Sequence, residues 1–275
     1  MTKAAAGTIP IFQVDAFTGQ VFRGNPAGVC LLPGPRSDRW LAAVAREMNL
    51  SETAFLLREG DAWRLRWFTP AVEVDLCGHA TLASAWILFE RGLADPARPI
   101  AFLSRSGPLA AERRGDRVEL DFPARREEPA EAPPGFADAL GFVPRYVGRN
   151  AFDYLALAPD AETVRRLAPD IVALKKLPVR GVIVTAESDR AECHFVSRFF
   201  APAVGVDEDP VTGSAHCCLA PFWGARFGLT EMTAYQASPR GGTLALRLAG
   251  ERVILAGGAV TVLEGALTGR AAAEI

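Results

Sequence analysis

Apolar residues recur along this chain at two periods, and each period returns in the same order a second time. Trp40, Leu41, Val44 and Met48 share one face at helical spacing, and Ser37-Asp38 ahead of them can cap a helix. Asp160-Ala161-Glu162-Thr163 opens a second helix that continues through Val164 and Leu167. Each predicted helix is followed by a short apolar run, Ala54–Leu57 and Val182–Thr185, which reads as a strand. Alternation at Trp63, Leu65 and Trp67 predicts a further strand, with Cys193–Phe200 as its counterpart. Two apolar runs opening on glycine then predict longer helices, with Leu82, Trp86, Ile87 and Phe89 in the first and Leu219, Phe222, Trp223 and Phe227 in the second.

The recurrence extends to residue identity. Residues 66–75 read Arg-Trp-Phe-Thr-Pro-Ala-Val-Glu-Val-Asp, and residues 198–207 read Arg-Phe-Phe-Ala-Pro-Ala-Val-Gly-Val-Asp, identical at seven of ten positions. Each copy leads to a glycine among small residues, Gly78-His79-Ala80-Thr81 and Gly213-Ser214-Ala215-His216, with three extra residues before the second glycine. Agreement of identity, spacing and element order predicts an internal duplication, two similar α/β halves joined near the Pro- and Glu-rich stretch Pro123–Pro134.

Composition narrows the function classes. A chain of 275 residues with 49% hydrophobic and 23% charged residues can bury a substantial core. The net charge is −2 and neither sign forms a long block, so neither nucleic acid nor an anionic membrane is an expected partner. The first seven residues show no apolar signal region and no run is long enough to span a bilayer, so a cytoplasmic location is expected. Five irregularly spaced cysteines argue against a disulfide framework. The usual zinc spacings of Cys and His are absent, so no metal is expected unless a site is assembled in space.

Both glycine motifs end an extended segment and open an apolar helix. Helix N-termini present unpaired N–H groups and partial positive charge, and small residues allow close approach, so the pair suits a carboxylate; tight helix packing is the competing reading. Four polar residues sit near these junctions. Glu52, within Asn49-Leu50-Ser51-Glu52-Thr53-Ala54-Phe55, is either a capping or salt-bridged residue or a general base with a raised pKa. His79 can pass a proton or serve structurally. Asp209 precedes a proline and reads as a turn or N-cap residue as readily as a catalytic one. Ser214 is a first-turn residue or a hydroxyl donor.

At these motifs the chain resembles the PhzF family of phenazine biosynthesis-like isomerases, related in fold to diaminopimelate epimerase. The resemblance rests on Gln13-Val14-Asp15-Ala16-Phe17, Phe22-Arg23-Gly24-Asn25-Pro26-Ala27-Gly28-Val29, Asn49–Phe55, Asp75-Leu76-Cys77-Gly78-His79-Ala80-Thr81, Glu208–His216 and Gln236-Ala237-Ser238-Pro239-Arg240-Gly241-Gly242. It implies an α/β (α+β) fold of two pseudo-symmetric half-domains, each a curved, mostly antiparallel sheet around a central helix. The halves are expected at 1–125 and 126–261, with a last strand at about 262–275 completing the first. It further implies a cofactor-independent, proton-shifting isomerase in a biosynthetic role, commonly a homodimer, acting on a small carboxylic acid between the halves. By position, Glu52, His79 and Asp209 match the catalytic set, and Gly78, Gly213 and Ser214 the substrate-binding set.

The departures from the related epimerases also inform. Those enzymes place one cysteine at each helix start; here Cys77 holds the first position and Thr212 the second, whose hydroxyl is far too weak an acid for that role. Cys77 then reads as a small packing residue, Cys217 and Cys218 as core, and Pro239 stands where a basic residue is common. Amino-acid racemisation, or a metabolite-binding or interaction protein without turnover, are the competing expectations.

Overall fold

The computed structural model describes residues 7–273. In chain order, the first copy runs β1 (Ile9–Ala16), β2 (Asn25–Leu32), α1 (Asp38–Met48), β3 (Glu52–Glu59), β4 (Ala62–Phe68), β5 (Glu73–Val74), α2 (Gly78–Glu90), β6 (Ile100–Ser104), β7 (Gly107–Arg114) and β8 (Arg117–Pro123). The second runs β9 (Glu128–Pro129), α3 (Phe136–Leu140), β10 (Tyr146–Arg149), β11 (Asp153–Leu157), α4 (Ala161–Arg166), α5 (Ile171–Leu174), β12 (Gly181–Glu187), β13 (Phe195–Ala201), β14 (Val206–Asp209), α6 (Gly213–Phe227), β15 (Glu231–Gln236), β16 (Gly242–Ala249) and β17 (Arg252–Gly257). A last strand, β18 (Ala259–Leu267), follows. The chain divides into two compact units: one reaches Asp121 and resumes at Ala256, and the other is Phe122–Leu255.

Pairing repeats strand for strand. β2 lies parallel to β3 as β11 does to β12, and β4 parallel to β6 as β13 does to β15. The pairs β1/β2 and β10/β11, β3/β4 and β12/β13, and β6/β7 and β15/β16 are antiparallel. The outer neighbours differ in origin: β18, from the far end of the chain, pairs with β1, whereas the short β9 just ahead of β10 pairs with β10. The predicted linker thus contains a short strand.

Within each unit the strands pack on one long helix. α2 carries no charge between Gly78 and Phe89, so it has no solvent face and nearly every residue is buried. α6 is buried over Ala215–Gly224, carries a single charge at Arg226 and contains Pro221. A proline cannot donate to the carbonyl four residues earlier; that carbonyl, of Cys217, accepts instead from Arg125 N–H at 2.9 Å. The smaller helices start as their sequences predict, with Ser37 Oγ accepting from Trp40 N–H and Asp160 Oδ1 from Thr163 N–H. α1 then buries Trp40, Leu41 and Val44 against Phe55 and Phe68.

The register corrects one part of the sequence repeat. Arg66 forms a fork with Glu73 at 2.7 and 2.8 Å, and Arg198 forms the same fork with Glu208 at 2.7 and 2.8 Å. Glu73 therefore corresponds to Glu208, not to Gly205, and Val74-Asp75 match Val206-Asp207 in letters only. The three extra residues fall at the turn after Pro202–Val204, and from Glu73 and Glu208 onward the spacing to Gly78 and Gly213 is equal.

The same register makes Gly181 the counterpart of Glu52: Thr53 opposes Phe68 as Val182 opposes Phe200, and each lies one residue further along. A Cβ at Gly181 would lie 2.6 Å from the Phe199 ring and 2.7 Å from the Phe200 carbonyl oxygen, which is backbone and cannot swing aside. Gly181→Ala is expected to destabilise the protein by about 1–3 kcal/mol, read as a lower urea midpoint; an unchanged midpoint contradicts this packing.

Candidate active site

In the first unit, a polar cluster forms where β2, β3 and α2 begin. Gly24 has φ +64°, and a Cβ there would lie within 2.1 Å of the Ala16 carbonyl oxygen, so only glycine admits this turn into β2. The turn delivers Asn25 opposite Ala16. Two residues on, Ala27 pairs with Glu52, the first residue of β3. Gly28 leaves room for Thr53, whose Oγ1 would lie 2.9 Å from a Cβ there.

His79 occupies the first turn of α2, and three side chains surround its ring. Asn25 Nδ2 lies 3.2 Å from Nδ1, Glu52 Oε2 lies 3.2 Å from Nε2, and Cys77 Sγ lies 3.5 Å from Nδ1 and 4.0 Å from Nε2. The ring is 4% exposed. Burial pushes its pKa down to about 3. A neutral ring that accepts from the Asn25 amide at Nδ1 carries its hydrogen on Nε2, facing Glu52. The Glu52 side chain keeps a partly open face, at 16% exposure. The cluster also places a thiol, an imidazole nitrogen and a carboxylate oxygen within 4.8 Å of one another, a donor set able to hold a cation.

In the second unit the corresponding junction is built differently. Thr212 is the N-cap residue of α6, but its side chain does not cap; the hydroxyl donates to Asp209 Oδ2 at 2.5 Å. Gln236 Oε1 accepts from Thr212 N–H at 2.8 Å, while Gln236 Nε2 donates to the Asp209 carbonyl at 2.6 Å. Asp209 therefore ends β14 rather than capping the helix, and Ser214 lies half-buried in the first turn beside Gly213. Cys77, the N-cap residue of α2, likewise makes no side-chain capping bond.

Thr81 and His216 hold equivalent places one turn into the two helices. Each reaches back four residues: Thr81 Oγ1 donates to the Cys77 carbonyl at 2.6 Å, and His216 Nδ1 to the Thr212 carbonyl at 2.8 Å. His216 is fully buried beside Phe195, and burial lowers its pKa to about 4.

The structure thus gathers Glu52, Gly78 and His79 in one unit and Asp209, Gly213 and Ser214 in the other. Sequence reasoning missed the roles of Asn25 and Gln236; both lie inside quoted motifs, and a polar residue bordered by glycine or a strand end was the available signal. A cavity of about 410 Å³ in the second unit, lined by Leu140, Phe142, Asp160, Glu162, Arg166 and Leu167 among others, contains none of these residues. No helix among the described residues is long and apolar enough to cross a membrane.

The family model for phenazine biosynthesis-like proteins, PhzC-PhzF, matches residues 14–265. An uncharacterized isomerase of Halalkalibacterium halodurans is 53% identical over 261 residues, covering 94% of this chain and 98% of that one. A crystal structure of a PhzF-family phenazine biosynthesis protein from Enterococcus faecalis superposes with TM-score 0.91 at 43% identity, covering 95% and 99% of the two chains. A predicted epimerase of Pseudomonas aeruginosa shares the fold, with TM-score 0.74 at 24% identity over 94% and 99%.

Because the two buried histidines have folded-state pKa values below the ordinary 6.5, the unfolded chain binds more protons between about pH 3 and 6.5. Their contribution to stability is complete above pH 6.5 and falls away with acid through that window. The NMR signal of the His79 ring is expected to stay that of a neutral imidazole from pH 8 to about 5; titration near 6.5 contradicts the site.

Proposed function

Since the chain belongs to the family of phenazine biosynthesis-like proteins, whose bacterial relatives include proteins named as isomerases, we propose that it is an isomerase that moves a proton between two carbons of a small carboxylic acid. Glu52 is the general acid/base. The observation that carries this reading is the Glu52–His79 contact of 3.2 Å at the start of α2, with Gly181 standing where the duplicated copy would need a second carboxylate.

In this reading the Glu52 carboxylate takes a proton from one carbon, and the released electron pair spreads through an adjacent double bond or carbonyl. The protonated Glu52 then returns the proton to the second carbon, so no atom is gained or lost. The neutral His79 packs its Nε2 edge against the carboxylate and limits where it can point, and the Asn25 amide sets the ring's tautomer. Asp209, Gly213 and Ser214 contribute substrate contacts, and Gly78 permits approach to the backbone of α2. Negative charge developing on the substrate is met by N–H groups at a helix start and by the Ser214 hydroxyl. A homodimer working without an added cofactor belongs to the same reading and rests on the family resemblance.

Racemisation at one carbon requires bases on opposite faces. The helix-start positions offer Cys77 and Thr212, and a threonine hydroxyl engaged with Asp209 does not supply the second. One base serving both carbons on one face is therefore the better match.

Glu52→Gln keeps the shape of the side chain and removes its basicity. The variant is expected to fold normally and to lose about 10²–10⁴-fold in enzyme-dependent exchange of carbon-bound hydrogen with D₂O, scored across a panel of unsaturated and amino-substituted carboxylic acids. Undiminished exchange by the variant removes Glu52 from the mechanism.

A further inference from the structure

Cys77 plays no part in the proton shift described above, yet it stands against both residues that do. It is buried at the N-cap position of α2 and makes no capping bond. Its Sγ lies 3.5 and 4.0 Å from the two ring nitrogens of His79, and Glu52 Oε2 lies 3.2 Å from Nε2. The three ligand atoms fall within 4.8 Å of one another. A tetrahedral ion holding sulfur at about 2.3 Å and nitrogen and oxygen at about 2.0–2.2 Å sets its ligand atoms roughly 3.3–3.6 Å apart. The observed separations bracket that range, so closing on an ion requires a shift of about an ångström or less in a short, rotatable thiol and a partly open carboxylate.

The donor types narrow the guest. One sulfur, one imidazole nitrogen and one carboxylate oxygen suit zinc-like, thiophilic divalent cations and reject magnesium and calcium, which take oxygen ligands. Three protein ligands leave a fourth position open to water. None of this is legible in sequence spacing, because Cys77 and His79 are two residues apart and Glu52 comes from another strand.

We infer that Glu52, Cys77 and His79 form a capture site for a thiophilic divalent cation of the zinc and cadmium type, whose occupancy switches the isomerase off. Binding releases the thiol proton to solvent as the metal–sulfur bond forms, and the ring hydrogen passes from Nε2 to Nδ1, where the Asn25 amide turns its oxygen to accept it; Nε2 is then free to ligate, and affinity rises with pH. The bound ion takes the Glu52 lone pair and leaves no base. That inhibition rests on the role proposed for Glu52; the binding does not.

The test uses Cd²⁺ and the full chain. One equivalent is expected to bind with the ultraviolet charge-transfer band of a cadmium–thiolate bond, and Mg²⁺ at equal concentration is expected to produce nothing. Cys77→Ser is expected to abolish the band and to weaken binding, measured by calorimetry, by more than about tenfold, while retaining hydrogen exchange. His79→Gln is expected to weaken binding and keep a thiolate band at higher Cd²⁺. An unaltered band in Cys77→Ser, which would assign it to Cys30, Cys193, Cys217 or Cys218, overturns the proposal. So does equal binding by the parent and both variants. If the Cys77-dependent band forms but hydrogen exchange continues in the loaded protein, the site stands and the role of Glu52 falls.

Discussion

An imidazole held neutral inside the protein is the constraint on which the candidate site depends. His79 lies at the start of a helix without a solvent face, so water cannot stabilise its charged form, and burial takes its pKa far below the ordinary value. With the ring neutral, its two nitrogens have opposite roles: if Nδ1 accepts from the Asn25 amide at 3.2 Å, Nε2 carries the hydrogen on the edge that lies 3.2 Å from Glu52 Oε2. Were the ring charged, Glu52 would be tied into an ion pair and its lone pair withdrawn from any substrate. The fold supports this arrangement at three points. A glycine turn sets Asn25, the parallel pairing of β2 and β3 sets Glu52, and the opening of α2 sets His79.

The duplication explains both the scaffold and its asymmetry. Two copies share strand pairing, the Arg–Glu forks and the i−4 bond that closes the first turn of each long helix. Chemistry differs at the equivalent places. In the shared register Glu52 corresponds to Gly181, Cys77 to Thr212, His79 to Ser214, and Val74 to Asp209. At Gly181 the backbone of Phe200 comes so near that no side chain fits. Beside it, Arg180 donates to the buried Asp153 carboxylate in a fork at 2.9 and 2.5 Å, so polar groups there serve structure. One copy thus holds a carboxylate–imidazole pair, while the other holds a hydroxyl–carboxylate–amide network around Thr212.

Much of this could be read in the sequence, for identifiable reasons. Helix starts at Ser37 and Asp160 and the apolar stretches of α2 and α6 follow from local rules, and the structure agrees. The strand expected over Cys193–Phe200 begins later, at Phe195, because Ser188 and the backbone of His194 make turn contacts first. The repeat was legible, but its last residues were matched by letter. Only the hydrogen-bonded register reveals that an Arg–Glu fork, not Val-Asp, is the shared feature. Asn25 and Gln236 drew no attention because their partners lie 54 and 24 residues away. The short strand in the Pro-rich segment was hidden for a similar reason: its partner, β10, has no local signature. Glu52 and His79 each carry a local signal in the sequence; their contact is a product of packing alone.

The central claim is that one carboxylate serves both carbons on one face of the substrate. Its most direct test follows the migrating hydrogen itself. A substrate deuterated at the donor carbon, turned over once in ordinary water, should yield product carrying part of that deuterium at the acceptor carbon, delivered by Glu52. Product whose new hydrogen comes entirely from solvent, together with inversion at a single carbon, would contradict the account.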